Sequence, residues 1–173
     1  MKVTEIFHSL QGEGVLVGVP SVFIRLAGCP LRCRWCDTSY AWDHDAGSEY
    51  EVSLLVEEVR KWRCGHVVIT GGEPLACPGL LQLSHSLKGL GVHITVETAG
   101  IGAMRGLSCD LMSISPKLSN STPGEPHLAK LHEACRLNVQ ALRELTDTYD
   151  YQLKFVVVSA EDLGEIEGVL AEF

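Results

Sequence analysis

A chain of 173 residues, 46% apolar and 21% charged, is large enough to bury about 70% of its unfolded surface and reads as a single domain over residues 1–173. Its formal charge of −8 speaks against a general grip on nucleic acid, which needs a basic face to displace counterions. The longest apolar runs are too short to span a bilayer, and MKVTEIFHSLQGEG lacks the apolar core of a signal peptide, so a cytoplasmic protein with no membrane partner is expected.

Along the chain, SVFIRLA (21–27) is β-branched and apolar, as a buried strand should be. SLLVEEVRKW (53–62) reads as a helix with Ser53 as N-cap and Leu55, Val59 and Trp62 on one face. HVVIT (66–70) is a strand that ends abruptly in GGEP, and PGLLQLSHSLKGLG (78–91) a helix stopped at Gly91. VHITVE (92–97) and DLMSIS (110–115) are strands ending in TAG and PK. One helix is expected over 127–145, a long strand over 151–159 and a final helix over 161–173. This alternation predicts a parallel α/β sheet. Ligands of such sheets bind at the carboxyl ends of the strands, and four polar or glycine-rich clusters fall there.

The first of those clusters, GCPLRCRWCDT (28–38), places Cys29, Cys33 and Cys36 within eight positions. The chain has seven cysteines, an odd number, so they cannot all pair within it, and without a secretion signal metal binding or reactive thiols come before disulfides. A structural zinc site wants four ligands, usually in two close pairs, and the nearest extra candidates, His44 and Cys64, form no second pair. A redox pair of Cys33 and Cys36 leaves Cys29 without a role. Three buried thiols packed as small hydrophobes sit badly beside Arg32, Arg34 and Asp37. An iron–sulfur cluster fits better: three thiolates wrap three corners of a cube and leave one iron open to an external ligand.

The three-cysteine loop after one strand and GGEP after the next resemble the radical S-adenosylmethionine (SAM) superfamily. The resemblance implies a partial (β/α) barrel, a parallel sheet open on one side, whose 4Fe–4S cluster binds SAM at its open iron. Segments 9–38, ITGGEP (69–74), VETAG (96–100) and SISPK (113–117) narrow it to the 7-carboxy-7-deazaguanine synthases. These convert 6-carboxy-5,6,7,8-tetrahydropterin to 7-carboxy-7-deazaguanine with loss of ammonia, on the way to queuosine, and require Mg²⁺. By this resemblance Cys29, Cys33 and Cys36 hold the cluster. Trp35, Asp37, Gly72, Glu73, Ser115, Pro116 and Lys117 meet SAM, with Glu73 suited to its ammonium. Leu10, Gln11, Gly12, Arg25, Thr70 and Glu97 bind the pterin, Arg25 through its carboxylate, and Thr38 binds Mg²⁺.

Plainer readings stand beside these. Arg25 would be a structural ion-pair arginine with Glu97 as its partner, and Trp42 either packs over the cluster or is solvated. Cys64, Cys77, Cys109 and Cys135 read as core or surface thiols. The family continues with another strand, helix and closing strand, so a barrel shortened at its C-terminus is expected. A flavodoxin or ferredoxin electron donor and a homodimer are also implied. Two other classes stay open: a radical SAM activase that forms a glycyl radical on a protein, which typically carries His-Asn where this chain has Asp37 and Thr38, and a non-enzymatic metal-binding module.

Overall fold

The computed structural model describes residues 1–172. Seven strands form one sheet: β1 (Lys2–Leu10), β2 (Pro20–Leu26), β3 (Ser48–Glu49), β4 (His66–Gly71), β5 (His93–Thr98), β6 (Leu111–Ile114) and β7 (Tyr151–Leu153), in the order β3-β1-β2-β4-β5-β6-β7. From β2 to β7 every pairing is parallel, and β1 joins β2 and β3 antiparallel. The sheet is open, as expected for a partial barrel of this type. Five helices complete the chain: α1 (Val52–Lys61), α2 (Leu80–Lys88), α3 (Pro126–Cys135), α4 (Val139–Thr148) and α5 (Asp162–Leu170). No helix among the described residues is long and apolar enough to cross a membrane.

The central strands read as near-continuous apolar runs because both their faces are covered. Val22, Ile24, Leu26, Val67, Ile69, Ile94, Val96, Met112 and Ile114 are fully buried. Helical spacing brings Leu55 and Val59 of α1, Leu80, Leu83 and Leu87 of α2, and Leu142 and Leu145 of α4 into the same core.

Several expectations need correction. The first strand, Lys2–Leu10, has no clean alternation and no strand signal in the sequence, and a register irregularity falls between Val3 and Glu5. Ser53 lies inside α1 and Glu51 takes the cap position, while Trp62 is half exposed and stacks on His8. The helix expected over 127–145 is two helices. Asn138 interrupts it, and its side chain accepts the Ala141 N–H to start α4. The strand expected over 151–159 keeps only three residues, and Val156, Val157 and Val158 leave the sheet exposed. The last residue of the expected final helix, Phe173, lies outside the described residues.

At the far end of the sheet from the strand termini that matter below, Asp110 accepts the Ile94 N–H at 2.8 Å and two hydrogen bonds from Lys88 at 2.6 and 2.7 Å. Burial pushes its carboxyl up, but Lys88 and the Ile94 N–H together outweigh burial and hold it below the ordinary aspartate value. A depressed folded pKa contributes stability above the unfolded value, and that stability is lost as pH falls through the folded one. Asp110→Asn should therefore cost about 1 kcal/mol near neutral pH, the half-exposed Lys88 limiting the effect. The gap to the parent protein should close below about pH 4, which urea titrations at the two pH values would read.

Candidate active site

The carboxyl ends of β2, β4, β5 and β6 open into one cavity of about 650 Å³. Its lining gathers segments far apart in sequence: Leu10, Gln11 and Gly12 after β1, Arg25 on β2, the cysteine loop, Thr70 and Gly72 from β4, Glu97 from β5, and Ser115 and Lys117 after β6. Trp35, Asp37 and Thr38 line it as well. Of the residues expected to form the site, Glu73 and Pro116 alone are absent from this wall.

Glu73 stands behind this wall, its side chain buried and held by the protein's own donors. Oε1 accepts from the Leu75 N–H at 3.0 Å and the Thr98 hydroxyl at 2.5 Å, and Oε2 from the Ala99 N–H at 2.8 Å. It ties GGEP to the TAG turn at the end of β5. Burial pushes its pKa up against the pull of these donors and of Lys117. The glycines before it permit close approach. Gly71 has φ +127°, and a Cβ there would run into the Leu26 backbone; one on Gly72 would meet the Gly28 carbonyl. Instead the Gly72 N–H bonds Leu26 O and the Glu73 N–H bonds Gly28 O, both at 2.8 Å, which joins this loop to the start of the cysteine loop.

The cysteine loop is held from several sides. The Gly28 and Cys29 N–H groups bond the carbonyls of Ala41 and Trp42, each at 2.9 Å. Arg32 turns back so that Nη1 donates to the Cys29 and Leu31 carbonyls at 2.5 and 2.8 Å, with its guanidinium 5.1 Å over the Trp42 ring. Trp42 is thus half-buried on the cavity wall beneath Arg32. Trp35 donates from its indole N–H to Asn120 at 3.1 Å. Lys117 sits 5.5 Å over the Trp35 ring and donates to Ser115 at 2.8 Å. Its burial lowers its pKa while the neighbouring Cys33 and Glu73 raise it.

The three thiols suit an iron–sulfur cluster. All three are unpaired; burial pushes Cys29 up to about 12 and Cys33 up to about 11, so a partner of positive charge is needed to hold these two as thiolates. They line one cavity, yet among the described residues no three His, Cys, Asp or Glu side chains gather as they would around a single metal ion. A cube with irons at its corners spreads its thiolates wider than one ion does. Thr38 Oγ1 lies 3.6 Å from Cys36 Sγ, a hard oxygen beside the soft ligands. Cys64, Cys77 and Cys109 pack at the edge of the main core, and Cys135 packs against Leu31, Cys33 and Ala99.

The opposite wall is aromatic and charged. Phe7 and Phe23 stack at 4.9 Å with their planes 4° apart, and the Arg25 guanidinium lies 5.7 Å over Phe7. The ion partner of Arg25 is Glu5, which accepts from Nε at 2.6 Å and also from the Tyr40 hydroxyl at 2.6 Å. Glu97, considered above as that partner, instead accepts from Gln11 Nε2 at 3.0 Å and faces Lys154 at 3.8 Å. Lys154 also pairs with Glu13 at 2.8 Å. Phe7, Phe23 and Lys154 line the cavity but carry no motif; Phe7 lies on the strand that sequence patterning misses, and Phe23 and Lys154 read as ordinary residues of expected strands.

Comparison with known proteins agrees with this geometry. A model of the radical SAM superfamily matches residues 23–150. The 7-carboxy-7-deazaguanine synthase of Rhodopirellula baltica is 45% identical over 174 residues, which cover 98% of this chain and 67% of that protein. The enzyme of the same name from Halobacterium salinarum is 44% identical, over 99% of this chain and 70% of its own. The crystal structure of QueE from Escherichia coli superposes with a TM-score of 0.79 at 30% identity, over 99% of this chain and 77% of that one.

Because Leu75 and Ala99 each place an N–H on a different Glu73 oxygen, an amide can satisfy only one of them. Glu73→Gln is expected to lose about 1–3 kcal/mol of stability, read as a lower denaturant midpoint with an unchanged slope.

Proposed function

The chain belongs to the 7-carboxy-7-deazaguanine synthase family of the radical SAM superfamily, and we propose that the cavity at its strand ends is where the cluster, SAM and the pterin meet. It is a radical SAM lyase that forms 7-carboxy-7-deazaguanine, with a 4Fe–4S cluster and SAM as cofactors. Relatives of that name leave no support for a glycyl-radical activase or a non-catalytic metal module.

Cys29, Cys33 and Cys36 are read as the cluster ligands, and Trp35, Asp37, Gly72, Glu73, Ser115, Pro116 and Lys117 as the SAM side of the cavity. When bound, the cluster and SAM together supply a one-electron cleavage whose carbon radical removes a substrate hydrogen. The chain's part is binding and orientation. Lys117, desolvated beside Cys33, offsets the negative charge that three thiolates bring. Phe7 and Phe23, stacked on the cavity wall, offer apolar contact to the pyrimidinone half of 6-carboxytetrahydropterin, the flat part of that molecule. Glu5 occupies only Nε of Arg25, so the rest of the guanidinium is available to the substrate carboxylate. Gln11 and Lys154 both address Glu97 Oε1, which leaves Oε2 for the donor edge of the pterin. Leu10, Gly12 and Thr70 complete the pocket, and the Thr38 hydroxyl is read as the protein ligand of Mg²⁺.

The observation that carries this reading is the meeting, in one cavity, of the three thiols with the Arg25 and Glu97 wall. One continuous sheet supports taking residues 1–173 as a single radical SAM domain. A cytoplasmic site of action, a homodimer and a flavodoxin or ferredoxin electron donor are proposed on the family resemblance.

The test is anaerobic reconstitution with iron and sulfide, then SAM, Mg²⁺, a reductant and 6-carboxytetrahydropterin, with products read by mass spectrometry. The expected product is 7-carboxy-7-deazaguanine; 5′-deoxyadenosine with the pterin unchanged would overturn the substrate assignment. Arg25→Ala should raise KM for the pterin about 10–100-fold, the value of a lost charge-assisted pair, with iron content unchanged. Glu5→Gln should raise it by about threefold, because it disturbs the guanidinium without removing it.

A further inference from the structure

His132 is the most buried histidine in the structure, 1% exposed on α3, and no part of the reaction described above uses it. Its ring joins two segments. Nδ1 lies 3.2 Å from the backbone nitrogen of Arg32, in the cysteine loop, and Nε2 lies 2.8 Å from the Ser121 hydroxyl in the turn that follows SISPK. The hydrogens can be assigned from these contacts. The Arg32 N–H can only donate, so Nδ1 carries no proton. Ser121 gives its one hydroxyl hydrogen to the Leu118 carbonyl at 2.6 Å, so it must accept from Nε2–H. The ring is therefore neutral, in the Nε2–H tautomer. Ser121 also accepts the Arg34 N–H on its carbonyl at 2.9 Å. The residues on both sides of Cys33 are thus tied to the His132–Ser121 pair.

We propose that His132 is a positioning residue for the cluster: its neutral ring clamps the Cys33 segment to the Leu118–Ser121 turn, so the thiol is in place before iron arrives. The clamp spans 100 residues of sequence, between Arg32 and His132. It presupposes the reading of Cys29, Cys33 and Cys36 as cluster ligands, so the test separates the two.

Five proteins decide it: the parent, Cys33→Ala, His132→Leu, His132→Asn and Ser121→Ala. Asparagine keeps an acceptor close to the position of Nδ1, leucine keeps none, and Ser121→Ala removes the acceptor that fixes the tautomer. Amide hydrogen exchange by NMR on the cluster-free proteins reads the clamp without any iron. Transfer of iron from the reconstituted proteins to a chelator, followed anaerobically, reads its effect on the cluster. In the parent, ¹⁵N-histidine spectra should show His132 as the neutral Nε2–H tautomer. His132→Leu should lose protection at Arg32 and Arg34 and release iron about tenfold faster, with protection of the Ile24 and Ile94 amides unchanged. His132→Asn should stay within about threefold of the parent. If His132→Leu does not fold, Ser121→Ala carries the test, with intermediate losses at the same two amides expected. Parent-like exchange and iron release in His132→Leu, or in Ser121→Ala where the first does not fold, would overturn the proposal, as would the Nδ1–H tautomer in the parent. Retention of a full cluster by Cys33→Ala would instead overturn the ligand reading, and the exchange data would still judge the clamp.

Discussion

A buried carboxylate sets the geometry of this active site. Glu73 lies out of contact with solvent, and each of its oxygens takes a backbone N–H from a different loop. A carboxyl group in such a place is costly unless it is hydrogen-bonded, so the two loops cannot drift apart without leaving buried polar atoms unpaired. The same residue's N–H fastens the GGEP loop to Gly28, next to the first cysteine. Three strand ends, those of β2, β4 and β5, are thereby held as one unit. The cavity is shaped by that unit, and the residues facing ligand stand on it.

On that base the antiparallel hairpin of β1 and β2 adds a second wall. Within one register it presents Phe7 opposite Phe23 and Glu5 opposite Arg25. The pairing explains why an arginine is tolerated on an otherwise apolar strand: its cross-strand neighbour accepts from Nε, and a phenylalanine two residues on lies under its plane. A carboxylate that is itself held by Tyr40 fixes the direction of the guanidinium. The Tyr40 hydroxyl, against burial and with the help of Arg25, holds the Glu5 pKa below the usual carboxylate value.

The parallel strands and the cluster loop were legible because their signals are local. Runs such as HVVIT and DLMSIS are buried on both faces, and three cysteines within eight residues stand out against any background. What the sequence concealed depends on partners far along the chain. β1 escapes because Lys2–Leu10 has no clean alternation. The break at Asn138 is hidden within a stretch of good helical residues, and Val156–Val158 look like strand although no neighbour pairs with them. Glu73 is the instructive case. Its motif marks the cofactor side of the sheet, but the three donors that hold it, on Leu75, Thr98 and Ala99, have no signature of their own. His132 has no sequence signal at all, since its two partners lie 11 and 100 residues away.

The loop after β1 also has a consequence for how the molecule comes into being. Glu13 reaches Lys154 and the Val15 N–H reaches Gln152, contacts that span 141 and 137 residues. The gap between β1 and β7 is therefore bridged by contacts that use the side chains of Glu13, Gln152 and Lys154, in place of a ladder of backbone hydrogen bonds. During synthesis the cysteine loop leaves the ribosome well before residues 152–154 exist. For that interval the thiols stand beside an unfinished wall, open to whatever delivers iron and sulfide. Once β7 is made, Lys154 can reach Glu13, and this side of the cavity forms only after the cysteine loop has been synthesised.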